Sequence, residues 1–167
     1  MHPLEKKTLQ AIEKEKLLLP EETVLVGVSA GADSMALLQV LGALRPFLRC
    51  SLVAVYVDHG LRPEETEGEA ALVQEAARRL AIPYRFRRVD VRGQARARRL
   101  SVEHAGRLLR YACFDEIAAA EQATKIAVAH TADDQAEELL IRLLRGTGRG
   151  GLSGMRRLRE GRIVRPF

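Results

Sequence analysis

The segment Val26–Met35, Val-Gly-Val-Ser-Ala-Gly-Ala-Asp-Ser-Met, constrains the fold more than any other stretch of this chain. A β-branched apolar run from Thr23 to Val28 breaks into small residues. An amphipathic run follows, with Met35, Leu37, Leu38 and Leu41 apolar. That order predicts a strand, a tight turn and a helix. The candidate phosphate-binding turn comprises Ser29, Ala30, Gly31, Ala32, Asp33 and Ser34. Ser29, Gly31 and Ser34 bring backbone N–H groups and hydroxyls near an anion, and the helix N-terminus adds its positive dipole end. A carboxylate at Asp33 suits such a cradle if a cation such as Mg²⁺ lies between it and the phosphates. An ordinary βα turn capped by Ser29 or Asp33 is the plainer alternative. The turn has no Gly-Lys-Ser/Thr, which excludes a Walker A loop, and no Gly-x-Gly-x-x-Gly follows a strand, which excludes the dinucleotide fingerprint.

The alternation continues along the chain. Leu4–Leu18 reads as an amphipathic lead-in helix, Thr23–Val28 as a strand and Asp33–Leu44 as a helix. Ser51–Val57 reads as a strand and Glu64–Leu80 as a helix with acids in its first turns, as the dipole favours. Tyr84–Val89 follows Pro83, which bars a helix there, and reads as a third strand. Glu103–Ala120 is a helix, Lys125–Ala129 a strand, Asp133–Arg145 a helix, and Arg162–Pro166 the start of a fifth strand. Repeated βα units over 167 residues predict one α/β domain. Its sheet is doubly wound, mostly parallel and five-stranded, with helices on both faces. The connector Val91–Leu100 holds Arg92, Arg96, Arg98 and Arg99 without a clear core face and reads as a flexible basic surface loop.

Charge points to a partner. Between Arg78 and Arg110 there are eleven arginines against Asp90 and Glu103, and from Arg142 to Arg165 eight arginines against Glu160. Basic stretches of this density fit a polyanion such as nucleic acid. Codon bias or a hot habitat is the plainer account of an Arg to Lys ratio of 22 to 5. No apolar run is long enough to span a membrane. The N-terminus has acids among its bases and no apolar core, so it does not read as a signal peptide. Cys50 and Cys113 form no C-x-x-C and read as buried free thiols in a reducing cytoplasm, a disulfide being the alternative.

Ligands of doubly wound sheets sit beyond the carboxyl ends of the strands. Three expected strand ends carry polar residues: Ser29–Ser34, Asp58-His59, and His130 through Asp134. Asp133 and Glu137 are i, i+4 and Asp134 and Glu137 i, i+3, so one helix face presents acids in register. With Asp33 they suit Mg²⁺ held against triphosphate oxygens, or they merely support the helix dipole. Glu103, Arg107 and Arg110 lie on neighbouring turns of one helix, where the arginines suit phosphate oxygens. A Glu103–Arg107 salt bridge is the plainer version. His104 and His2 read as structural or surface residues. The Gly146–Met155 stretch is a helix cap and connector, or a loop that a nucleic-acid backbone approaches closely.

Ser29–Ser34 resembles the Ser-Gly-Gly-x-Asp-Ser signature of the PP-loop ATP pyrophosphatases, with Ala30 in place of the first glycine. Together with Val57–Arg62, Glu103–Tyr111, Ala129–Glu137 and Arg145–Met155, in that order, it resembles the tRNA(Ile)-lysidine synthetases. Gly106, Thr131 and Glu138 depart from that family's usual Ala, His and Thr. The resemblance implies an adenine nucleotide alpha-hydrolase-like fold and a ligase that forms a carbon–nitrogen bond. ATP would adenylate the C2 oxygen of the wobble cytidine in a tRNA(Ile) with a CAU anticodon. Free L-lysine would then displace AMP. It implies ATP bound by Ser29, Ala30, Gly31, Ala32, Asp33, Ser34, Asp58 and His130, and Mg²⁺ held by Asp33, Asp134 and Glu137. Asp33, Arg107, Arg110, Asp134 and Glu137 would be catalytic. Residues 1–167 are then one catalytic domain, in a cytoplasmic protein that works without a membrane. The family's further tRNA-binding domains are expected to lie outside it, and a homodimer is left open. A PP-loop tRNA thiolase would share the turn but usually needs paired cysteines. A non-catalytic nucleotide-binding module of the same fold would leave the acids and arginines without a task.

Overall fold

The computed structural model describes residues 1–129, 157–159 and 161–167. Side-chain alternation decides its layers. In β1 (Thr23–Gly27), Val24 and Val26 point to one side and Leu25 to the other, and all three are fully buried. A strand buried on both faces needs cover on both, which parallel βα units supply. Ile12 of α1 (Pro3–Glu15) and Leu37, Leu38, Leu41 and Leu44 of α2 (Ala32–Leu48) cover the first face. Val73 and Ala77 of α3 (Pro63–Arg79) complete that layer against Val24, Val26, Ala54 and Tyr56. Cys113, Phe114, Ile117 and Ala118 of α5 (Val102–Ala120) cover the second face, against Leu25, Val53, Val55, Val57 and Ile126. Cys50 lies in the first core and Cys113 in the second; both are buried free thiols, as expected.

The sheet order is β3-β2-β1-β4-β6-β5, from β2 (Ser51–Asp58), β3 (Tyr84–Arg88), β4 (Lys125–Val128), β5 (Leu158–Arg159) and β6 (Ile163–Val164). β1 pairs in parallel with both β2 and β4, so the strand order reverses direction beside it. This is the switch point where α/β sheets open a crevice at their carboxyl edge.

Two expectations need correction. The sheet has six strands, not five: Leu158-Arg159 folds back antiparallel on Ile163-Val164, an edge too short for periodicity to reveal. The stretch expected as a basic loop is a helix, α4 (Val91–Arg98). Its core face is small but sufficient, because Val91 and Ala95, four residues apart, pack on Ala105 with Leu61, Leu100 and Leu109 around them. Asp90 caps it by accepting the Gly93 N–H at 2.8 Å. His2 caps α1 in the same way and exchanges a second bond with Glu5, so it is structural. No helix among the described residues is long and apolar enough to cross a membrane.

Candidate active site

The turn after β1 is braced from within. The Ser29 N–H donates to Ser34 Oγ at 3.0 Å, and Ser34 Oγ donates to the Gly31 carbonyl at 3.0 Å. The Ser29 hydroxyl lies 3.2 Å from that of Ser34. Ser34 is buried and ties the turn together, while Ser29 stays exposed. Ala30 adopts a left-handed φ of 60°, and Gly31 is the N-cap of α2. Glycine supplies no capping side chain, so among the described residues no side chain satisfies the first N–H groups of α2. Side chains cap α1, α4 and α5. An uncapped N-terminus at a strand end leaves donors and a positive dipole end for an anion.

Beside this turn lies a cavity of about 240 Å³ at the carboxyl edge of β1, β2 and β4. Gly27, Val55, Val57, Phe114 and Val128 make its apolar wall, and Ser29, Ser34, Asp58, His59, Arg62, Glu69 and Arg110 its polar one. Gly27 is required there, since a Cβ would stand 2.6 Å from the Phe114 ring.

Asp58 closes β2 and is 4% exposed. Its carboxylate accepts from the Gly60 N–H at 2.8 Å, Thr66 Oγ1 at 3.1 Å and Arg88 Nε at 2.6 Å. Burial pushes this carboxyl up, but the three donors outweigh it and hold it below the usual carboxylate range. His59 is pressed below its ordinary value by burial and by the Arg110 charge, with Asp58 pulling the other way. Its imidazole is therefore neutral at pH 7. Burial also pushes the Arg110 guanidinium down, yet a guanidinium stays charged in proteins. Arg110 has no carboxylate partner among the described residues; its neighbour is the Tyr111 ring, 5.7 Å away. A half-buried cation that faces a cavity, with no carboxylate among the described residues, suits an anion.

The structure separates residues that the sequence grouped. Arg107 lies 5.9 Å from the same Tyr111 ring but lines a second groove, with His104, Ile126, Arg159 and Arg162, and not the cavity of Arg110. No Glu103–Arg107 ion pair forms. Asp33 is exposed on the first turn of α2, outside the cavity wall, and makes no side-chain hydrogen bond or ion pair among the described residues. Asp58 lines the cavity, but its hydrogen-bonding capacity is largely taken. His130, Asp133, Asp134 and Glu137 lie outside the described residues, as does the Gly146–Met155 stretch. Val128 and Ala129, which lead to His130, line the cavity.

Sequence reading missed Tyr56 and Glu69. The Tyr56 hydroxyl donates to Glu69 Oε2 at 2.6 Å in the cavity wall, and Arg62 lies 3.6 Å from the same carboxylate. Burial and Glu69 raise the Tyr56 pKa, so it stays a donor. Tyr56 sits inside an unbroken apolar run and Glu69 on an acidic helix, so neither carries a local signal. Gly27 does carry one: an isolated glycine in a strand marks a close approach.

A family model described as a PP-loop domain matches residues 1–167. Among curated relatives, tRNA(Ile)-lysidine synthase of Geobacter sulfurreducens is 45% identical over 89% of this chain and 31% of its own length. The protein of the same name in Clostridium acetobutylicum is 38% identical over 95% of this chain and 34% of its own. That in Chlorobaculum tepidum is 37% identical over 100% and 50%. The chain thus spans about a third to a half of the length of these relatives. Among solved structures, the U34-tRNA thiolase NcsA of Methanococcus maripaludis superposes with a TM-score of 0.74 at 16% identity, over 98% of this chain and 57% of that one. The NH3-dependent NAD synthetase of Campylobacter jejuni superposes at 0.53 and 15% identity, over 90% and 62%. These two likenesses concern the fold. The family model covers the turn after β1 and every residue that lines the cavity: the chain belongs to the PP-loop domain family.

Proposed function

We propose that this chain is the catalytic domain of an ATP-dependent ligase that joins free lysine to C2 of the wobble cytidine in an isoleucine tRNA with a CAU anticodon, in the cytoplasm. The observation that carries the reading is Arg110: a cation with no carboxylate partner among the described residues, in one cavity with Ser29 and Ser34 of the turn after β1. The names of the relatives supply the substrate.

In this reading the cytidine O2 attacks the α-phosphorus of ATP, the bond to the β-phosphate oxygen breaks, and pyrophosphate leaves. The lysine ε-amine then attacks C2, the C2–O bond breaks, AMP leaves, and the amine loses a proton. Ser29 and the first N–H groups of α2 receive the departing phosphates. Arg110 offsets charge that grows on the α-phosphate. The cavity's apolar wall of Val55, Val57 and Phe114 excludes water that would hydrolyse the adenylate. Arg107, which lines the second groove, meets the RNA rather than the nucleotide. A bound Mg²⁺ would neutralise triphosphate charge. It typically takes one or two carboxylates plus phosphates and waters, and Asp33, exposed and without a partner among the described residues, fits one such position. Asp134 and Glu137 are the further acids we assign to the metal or to the lysine amine.

A thiolase reading shares the turn. The NcsA structure is described with a [4Fe-4S] cluster, whereas this chain has two cysteines, buried in separate cores on opposite faces of the sheet. The deciding experiment is mass spectrometry of tRNA after incubation with ATP, Mg²⁺ and isotopically labelled lysine. The label should appear on a single cytidine, with AMP and pyrophosphate released in equal amounts. Pyrophosphate release with no label on the RNA would overturn the lysine assignment; release with no RNA dependence would overturn the tRNA one.

A further inference from the structure

The arginines of this surface fall into two populations. Beyond the amino ends of the strands, Arg78 and Arg79 share Glu75 at 2.7 and 2.8 Å, and Arg49 meets Glu21 at 3.2 Å. On α4, Arg92, Arg96, Arg98 and Arg99 are exposed and meet no carboxylate among the described residues. Asp90, the nearest acid in sequence, is committed to capping the helix.

The helix arranges these charges. Val91 and Ala95 turn inward onto Ala105. Arg92 and Arg96, at i and i+4, therefore share one exposed side of α4, and Arg99, the left-handed residue that caps its C-terminus, follows them, so the three stand along about 10 Å of chain. Like charges at i, i+4 destabilise a helix by a few tenths of a kcal/mol per pair, so the fold carries this row at a cost. The row also starts beside the candidate active site. A Cβ on Gly106 would lie 3.5 Å from His59 Nδ1 and 3.7 Å from Val91 Cγ1. His59 lines the cavity, and Val91 opens α4.

We propose that Arg92, Arg96 and Arg99 form a phosphate rail that holds the substrate RNA strand where it enters the cavity. This rests on the RNA-modifying reading above. A polynucleotide supplies one anion per nucleotide along a flexible backbone, which three cations in a row can follow. A membrane surface fits less well, because α4 has no large exposed apolar side chain to insert beside its arginines.

The test compares the parent with two triple variants of equal charge change. One is Arg92→Gln/Arg96→Gln/Arg99→Gln. The other, Arg49→Gln/Arg78→Gln/Arg79→Gln, removes the paired arginines at the opposite end of the strands. Affinity for isoleucine tRNA is measured across a salt series, and ATP affinity in each protein reports an intact fold. The rail variant should lose at least tenfold in tRNA affinity at low salt. Its log K against log salt slope should shrink by about 2, the value for three phosphates on a single strand. The control should lose less than threefold, with ATP affinity unchanged in both. Equal losses in the two variants, or an unchanged slope in the rail variant, would overturn the rail and leave the tRNA reading standing. A parent that binds no tRNA at any salt would overturn that reading and the rail with it. Unchanged tRNA affinity with lost binding to phosphatidylserine vesicles would assign the row to a membrane instead.

Discussion

The turns that follow β1 and β2 are neighbours at one sheet edge, and each offers a carboxylate, yet they use it in opposite ways. Asp58 is buried and receives three donors, from Gly60, Thr66 and Arg88. Asp33 is exposed and receives none among the described residues. A carboxylate satisfied by its own fold fixes the shape of a turn. One left free at a strand end remains available to a ligand or a cation. The sequence marks both residues as candidates, and only the count of donors separates scaffold from chemistry.

The largest effect that tests this contrast is on catalysis. Asp33→Asn should lower the rate of tRNA-dependent pyrophosphate release by about 10²-fold or more, the value of one positioned charge. Its unfolding free energy should stay within about 0.5 kcal/mol of the parent. A rate within threefold of the parent would remove Asp33 from the chemistry and erase the contrast.

Asp58→Asn should do the reverse and cost about 2 kcal/mol of stability, since it loses charge-assisted bonds from Thr66 and Arg88. The pH dependence carries the same signature. The folded Asp58 carboxyl lies below the unfolded value of about 3.9. Its contribution is therefore full above the unfolded value and is lost as pH falls through the lower folded one. Denaturation at about pH 7 should separate parent and variant, and the gap should narrow as pH falls below the unfolded value. A gap independent of pH would mean that the loss is one of packing rather than charge.

A smaller contrast sets Arg110 against Arg107, three residues apart on α5. Arg110→Gln should weaken ATP binding about tenfold, or about 1.4 kcal/mol, as read by calorimetric titration. Arg107→Gln, in the second groove, should leave it within twofold. Equal losses would place both guanidiniums on the nucleotide.

That pair also shows where the sequence stops. Spacing alone put Arg107 and Arg110 on neighbouring turns, and so they are. It did not show that they line separate cavities, because side-chain walls are made by packing that no local pattern encodes. The βα alternation was legible because both faces of each strand bury apolar side chains, a signal that accumulates over many residues. α4 was not: two small residues, Val91 and Ala95, complete its core face, and they count only once Ala105 is seen to approach. The braced turn was legible from its small residues, while Tyr56 and Glu69 joined the cavity through a contact thirteen residues apart.

The smallest effects concern the left-handed residue that each turn contains: Ala30, with φ 60°, after β1, and Gly60, with φ 64°, after β2. Glycine adopts that conformation freely, whereas a side chain costs roughly 1–2 kcal/mol there. At Gly60 a Cβ would also lie 3.3 Å from the Val89 carbonyl oxygen. Gly60→Ala should therefore destabilise by about 1–2 kcal/mol. Ala30→Gly is not its mirror image. Relief of the left-handed strain favours the variant, but the Ala30 methyl packs against the main core, and a buried carbon of that size is worth up to about 0.8 kcal/mol. The greater freedom of glycine in the unfolded chain removes a further 0.4–1 kcal/mol or so. These terms nearly cancel, so Ala30→Gly should stay within about 0.5 kcal/mol of the parent in chemical denaturation. Ala30→Val, with a branched side chain in the left-handed region, should lose more than Gly60→Ala. A gain above about 1 kcal/mol for Ala30→Gly would mean that strain dominates at this turn, and that the alanine is kept there at the expense of stability.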